Sequence, residues 1–133
     1  MFGRDLDDAE AWVADWSAAV SARAEQARQL AARVADLTGA ATGGHGLIEV
    51  RVDSTGALIA LRLDDRVTGW PAARIEHEIM ATLRRAQATL TGRVTEIVAS
   101  TVGVDTETGR AVLTGYERRF PAVPGDGDGE RRR

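Results

Sequence analysis

The sequence predicts an α+β fold in the order α-β-β-(β)-α: a long N-terminal helix, a small antiparallel sheet and a second long helix. Three observations carry that reading. Residues 44–63, GHGLIEVRVDSTGALIALRL, alternate apolar and polar side chains on both sides of a turn, the period of two that marks a strand with one dry face. Residues 5–38 hold neither Pro nor Gly and are rich in Ala, Arg, Glu and Leu, all good helix formers. Behind Pro71, Ile75, Ile79, Leu83, Ala86, Leu90, Val94 and Ile97 recur at steps of three and four, an amphipathic helix to about Ser100. A two-stranded hairpin alone is marginal in water, so the helices must cover it.

The first helix opens on Asp5, Asp7, Asp8 and Glu10, where the positive end of the helix dipole favours acids. Gly39 is the expected stop. Leu6, Val13, Val20, Ala27 and Val34 are seven residues apart, and Ala9, Trp16, Arg23, Leu30 and Leu37 follow each by three. That heptad stripe runs roughly 50 Å at 1.5 Å per residue, more than strands of about 20 Å can cover. Part of it must meet another helix, from this chain or a second copy. Arg23 is its one polar member, a long side chain able to lie along the stripe with its head in water.

Residues 39–46, GAATGGHG, read as a flexible connector into the hairpin. In the hairpin Ile48, Val50 and Val52 face one way, and after the turn so do Ile59, Leu61 and Leu63, with Leu58, Ala60 and Arg62 opposite. These six aliphatic residues are the expected core or dimer face. Asp53-Ser54-Thr55-Gly56 suits a type I turn closed by Gly56 at positive φ. A short third strand is weakly signalled around residues 66–68. Pro71 fits the first position of the second helix, Gly92 interrupts that helix, and Gly103 is placed to end it. Residues 104–120 admit either a small hairpin or a short helix from near Thr106. Val112, Tyr116 and Phe120, four apart, favour the helix. Residues 121–133, PAVPGDGDGERRR, are expected to be disordered.

With 133 residues, 44% hydrophobic and 28% charged, the chain fits one globular domain. It has no Cys, which excludes a disulfide framework and thiolate metal sites. It has no apolar run of membrane-crossing length or signal-peptide type, so a cytoplasmic protein without a membrane partner is expected. The formal charge of −3 gives no bulk basic field. Every basic residue is Arg; a GC-rich coding bias accounts for that, although Arg also suits phosphate well.

Catalytic patterns are missing. His45 lies in the Gly-rich connector and His77 between Glu76 and Glu78, neither in a metal-ligand spacing. Asp64-Asp65 reads as a solvated turn. No Gly-rich phosphate loop or serine elbow is present, so neither an enzyme nor a bound cofactor or metal is expected. For nucleic acid the relevant charges are local: Arg23, Arg28 and Arg33 on the first helix, Arg84, Arg85 and Arg93 on the second. With one Tyr and no aromatic platform, any DNA binding would rest on phosphate contacts and depend steeply on salt.

The order of elements, the hairpin sequence, the Pro-led helix with Ala86-Gln87-Ala88 and the segment Tyr116-Glu117-Arg118-Arg119-Phe120-Pro121 together resemble the YbaB/EbfC family of nucleoid-associated proteins, in its actinobacterial branch. The resemblance implies a family domain over 1–104, a helical extension over 105–120 and a tail over 121–133. It implies a tweezer-like homodimer joined through its sheet region, and compaction of double-stranded DNA in the nucleoid with little sequence preference. The alternative is a protein-interaction module, a dimer whose long helices dock helices of a protein partner, associated with secretion and without DNA binding.

Overall fold

The computed structural model describes residues 2–123. Helix α1 spans Phe2–Ala35. Strands β1 (Thr38–Gly43), β2 (Ile48–Asp53) and β3 (Leu58–Leu63) follow. They form one antiparallel sheet in the order β1-β2-β3. A 3-10 turn over Asp65–Gly69 leads to α2 (Ala72–Ser100) and then α3 (Glu107–Arg119). The disordered tail expected over 121–133 lies, from residue 124 on, outside the described residues.

The third strand exists, but it precedes the hairpin. The stretch read as a flexible connector is β1, paired along its length with β2 from Thr38↔Asp53 to Gly43↔Ile48. The segment 66–68, read as a short strand, lies instead in the 3-10 turn, whose first turn is capped by the Asp64 carboxylate accepting from the Arg66 N–H at 2.9 Å. The physical reason for the misplacement is side-chain size. Gly39, Ala41 and Gly43 form the inward face of β1 and carry almost nothing to bury, so hydrophobic alternation is silent there. Their smallness is what the packing needs. A Cβ on Gly39 would strike the Ala86 carbonyl of α2, and one on Gly43 would strike the Thr82 hydroxyl. Helix α2 therefore rests almost directly on the backbone of β1.

The β1–β2 turn places Gly44, His45 and Gly46 all at positive φ, an arrangement that forces this hairpin to be glycine-rich. The β2–β3 turn has the expected form. Gly56, at φ 85°, donates its N–H to the Asp53 carbonyl at 2.9 Å. The Asp53 carboxylate accepts from the Thr55 hydroxyl at 2.6 Å and from the Thr55 and Ala57 N–H groups at 2.9 and 3.1 Å. Those bonds, the Thr55 hydroxyl foremost, hold its pKa below the usual carboxylate value.

Two joined clusters make the core. Ile48, Val50 and Val52 of β2 are fully buried against Ala86 and Leu90 of α2, with Val67 and Phe120 at the margins. Leu30 of α1 packs with Val94, Ile97 and Val98 of α2, flanked by Val112, Leu113 and Tyr116 of α3. Helix α1 stops at Ala35, earlier than Gly39 suggests, because the chain must already be extended at Thr38 to join the sheet. Pro71 is the N-cap of α2 rather than its first residue. The far end of α2 closes where Gly103, at φ 92°, donates its N–H to the Val98 carbonyl at 2.7 Å.

Residues 104–120 adopt the helical alternative. Thr106 caps α3 by accepting the Gly109 N–H at 3.0 Å. The other end of α3 is fastened to the β2–β3 turn. The Tyr116 hydroxyl donates to the Ser54 carbonyl at 2.9 Å, Arg119 donates to the Thr55 carbonyl at 2.8 Å, and the Phe120 ring lies on Gly56, leaving no room for a Cβ. From α2, Gln87 donates to the Gly56 carbonyl at 3.0 Å.

Candidate nucleic-acid interface

The six arginines singled out by sequence take different roles. Arg85 is half-buried and donates to the Thr42 carbonyl at 2.6 Å, tying α2 to the outer strand β1. Arg33 donates to the Ser100 hydroxyl at 2.8 Å and joins α1 to the end of α2. Arg28 pairs with Glu25 at 2.7 Å, both side chains more than half exposed, a contact a phosphate could replace at little cost. Arg23, Arg84 and Arg93 are exposed.

These charges do not merge into one patch on a single chain. Arg84 and Arg93 lie nine residues apart on α2, which at about 100° per residue puts them half a turn apart and roughly 14 Å along the axis. Arg23 and Arg28 sit on the free part of α1. One association is new. Arg84 shares a pocket of about 230 Å³ with Gln87, Arg119 and Phe120, so the folded chain brings two guanidinium groups from distant segments to one rim. Sequence reasoning missed Arg119 because the orientation of α3 depends on tertiary docking. The Tyr116–Phe120 aromatic step was legible, and it fixes that orientation.

The other singled-out residues separate by strand. Ile48, Val50 and Val52 are buried, whereas Ile59, Leu61 and Leu63 are 53%, 39% and 44% exposed. Helix α2 crosses β1 and β2 and leaves β3 uncovered. The edge strand therefore shows water a row of large aliphatic side chains, extended by Leu58. Along α1, Leu6, Trp12, Val13, Trp16 and Val20 are also exposed, since the helix joins the core only from Leu30 onward.

Among the described residues no group of histidines and acids is arranged to hold a metal ion, and no helix is long and apolar enough to cross a membrane. His45 and His77 are exposed, and neither belongs to such a group.

Comparison with known proteins adds two findings. Residues 13–104 match the family model described as the YbaB/EbfC DNA-binding family. The fold is similar to the crystal structure of an uncharacterised protein from Helicobacter pylori, with a TM-score of 0.52 and 16% identity over 66% of this chain and 94% of that one. No curated protein matches. At that identity the structural likeness speaks to fold alone. The match ends before α3, so the helix that clamps the hairpin turn lies outside it.

Proposed function

This chain belongs to the YbaB/EbfC DNA-binding family, and on that premise we propose that it binds duplex DNA in the nucleoid as a homodimer, through phosphate contacts with little base readout. The observation that carries the proposal is the family match over residues 13–104. Dimerisation is supported by β3, an edge strand whose apolar residues are left uncovered by the chain's own helices.

Arg28, Arg84 and Arg93 are the principal phosphate contacts in this reading, the Arg28–Glu25 pair being one that a phosphate replaces at little cost. Arg33, Arg85 and Arg119 serve the fold, since their guanidinium groups already bridge elements. A dimer offering three arginines per chain neutralises on the order of six phosphates, so affinity for random duplex falls about 10³-fold between 50 and 200 mM salt. A titration of duplex DNA at two salt concentrations reads this directly. The double substitution Arg84→Ala with Arg93→Ala should flatten the salt dependence, whereas Arg85→Ala should lower thermal stability and leave the slope in place. Absence of binding at low salt by the folded dimer overturns the proposal.

A further inference from the structure

Residues 6–29 of α1 form a helical arm that lies outside both core clusters, yet it carries a heptad stripe of Leu6, Ala9, Val13, Trp16, Val20, Arg23 and Ala27, all exposed. Its charge is divided. Residues 6–20 hold Asp7, Asp8, Glu10 and Asp15 and no basic residue, while residues 21–35 hold Arg23, Arg28 and Arg33 against Glu25 alone. We infer that the occupant of this stripe is the same helix of a second copy, laid antiparallel with Val20 opposite the partner's Trp16.

Three features of the arm fix that arrangement. In an antiparallel pair each first-position residue of the heptad meets a fourth-position residue of its partner. Val20 against the partner's Trp16 then sets Val13 against the partner's Arg23 and Ala27 against the partner's Ala9, so every layer from Ala9 to Ala27 falls on the exposed part of the helix. Leu30 and Val34, already packed on α2, are not needed. In the same register the acidic half of each helix, with Asp7, Asp8, Glu10 and Asp15, runs along the half of its partner that holds Arg23 and Arg28, and the two-fold axis repeats that complementarity. Arg23, the polar interruption of the stripe, thereby gains an apolar layer for its stem while its head extends toward the acidic half of the partner helix. The parallel alternative fails on charge. It sets Arg23 against Arg23 and the acidic half of each helix against its own copy, where like charges repel.

This arm interface is separate from the β3 surface and goes beyond the DNA-binding reading. A chain with two self-complementary surfaces can link dimers into tetramers or longer runs. The acidic half also includes residues before position 13, where the family match begins.

The absence of cysteine makes the test direct. Ala19 lies beside the proposed two-fold axis, so the Ala19→Cys chain should join to itself by disulfide under mild oxidation, read as a doubled mass on a non-reducing gel. Ala9→Cys alone should not, but should cross-link when mixed with Ala27→Cys. Adding Asp7→Arg, Asp8→Arg, Glu10→Arg and Asp15→Arg to Ala19→Cys makes both halves of the arm basic and should cut the cross-linked fraction about fivefold; further addition of Arg23→Glu and Arg28→Glu should restore it. Repeating the series with Leu61→Asp, which disables the β3 surface, separates the two interfaces: the cross-links persist while any β3 dimer is lost. Self-linking of Ala9→Cys as readily as Ala19→Cys, or no cross-link in either while circular dichroism shows the helix intact, overturns the inference.

Discussion

Strands β2 and β3 belong to one hairpin and carry nearly the same alternation, yet they meet opposite fates. Ile48 is fully buried, and its cross-strand partner Leu63 is 44% exposed; Val50 is fully buried, and its partner Leu61 is 39% exposed. Directly paired residues share a face of the sheet. The difference therefore arises from the cover, since α2 lies over β1 and β2 and stops short of β3. The small residues of β1 draw the helix to that side: backbone approaches backbone at Gly39 and Gly43, contact that bulky β3 does not allow. A periodic pattern marks which side chains share a face. It does not say whether the chain itself covers them.

The contrast can be tested at three strengths. Ile48→Ala should cost about 2–5 kcal/mol, since a fully buried aliphatic side chain leaves both lost transfer energy and a cavity. Urea unfolding measures that loss, and a loss below 1 kcal/mol would mean that the β2 face is not the core.

Next in size is the fastening of the turn that joins the two strands. Tyr116→Phe removes the hydroxyl that donates to the Ser54 carbonyl and should cost about 1 kcal/mol. Burial, before any neighbouring charge, raises the Tyr116 pKa above the usual phenol value. A raised folded pKa means that the contribution is whole below the unfolded tyrosine pKa and is lost as pH climbs through the folded one. Wild type should thus lose stability in alkali, and Tyr116→Phe should lose less over the same range. Parallel alkaline profiles would show that the hydroxyl contributes nothing to the clamp.

The smallest change should come from β3. Leu63→Ala, measured on chains diluted until they no longer self-associate, should stay within about 0.5 kcal/mol of wild type, as expected for an exposed side chain outside the core clusters. At higher concentration the same substitution should weaken self-association, read by sedimentation equilibrium. A large loss at high dilution would mean that β3 is covered within its own chain.

The candidate interface shows the same division between what is local and what is not. Six arginines are visible in the sequence, and their helices are too. Which of them are engaged depends on distant partners, Arg85 on Thr42 and Arg33 on Ser100, and a seventh, Arg119, is held by Thr55. None of those pairings has a short-range signal. Arg119 is brought beside Arg84 only because Phe120 and Tyr116 dock α3 against the hairpin turn.

By itself the amino-acid sequence determined the features whose physics is local. These are the two long helices, the dry face of β2, the Asp53–Gly56 turn with its positive φ, the third helix with its aromatic step, and the family resemblance carried by their order. Only the tertiary structure decided that 38–43 is a strand and that β3 stands open. Glycine in β1 acts by the absence of a side chain, and an absence has meaning only once a helix lies against it. Burial likewise belongs to pairs of surfaces, and a residue pattern specifies one surface of each pair.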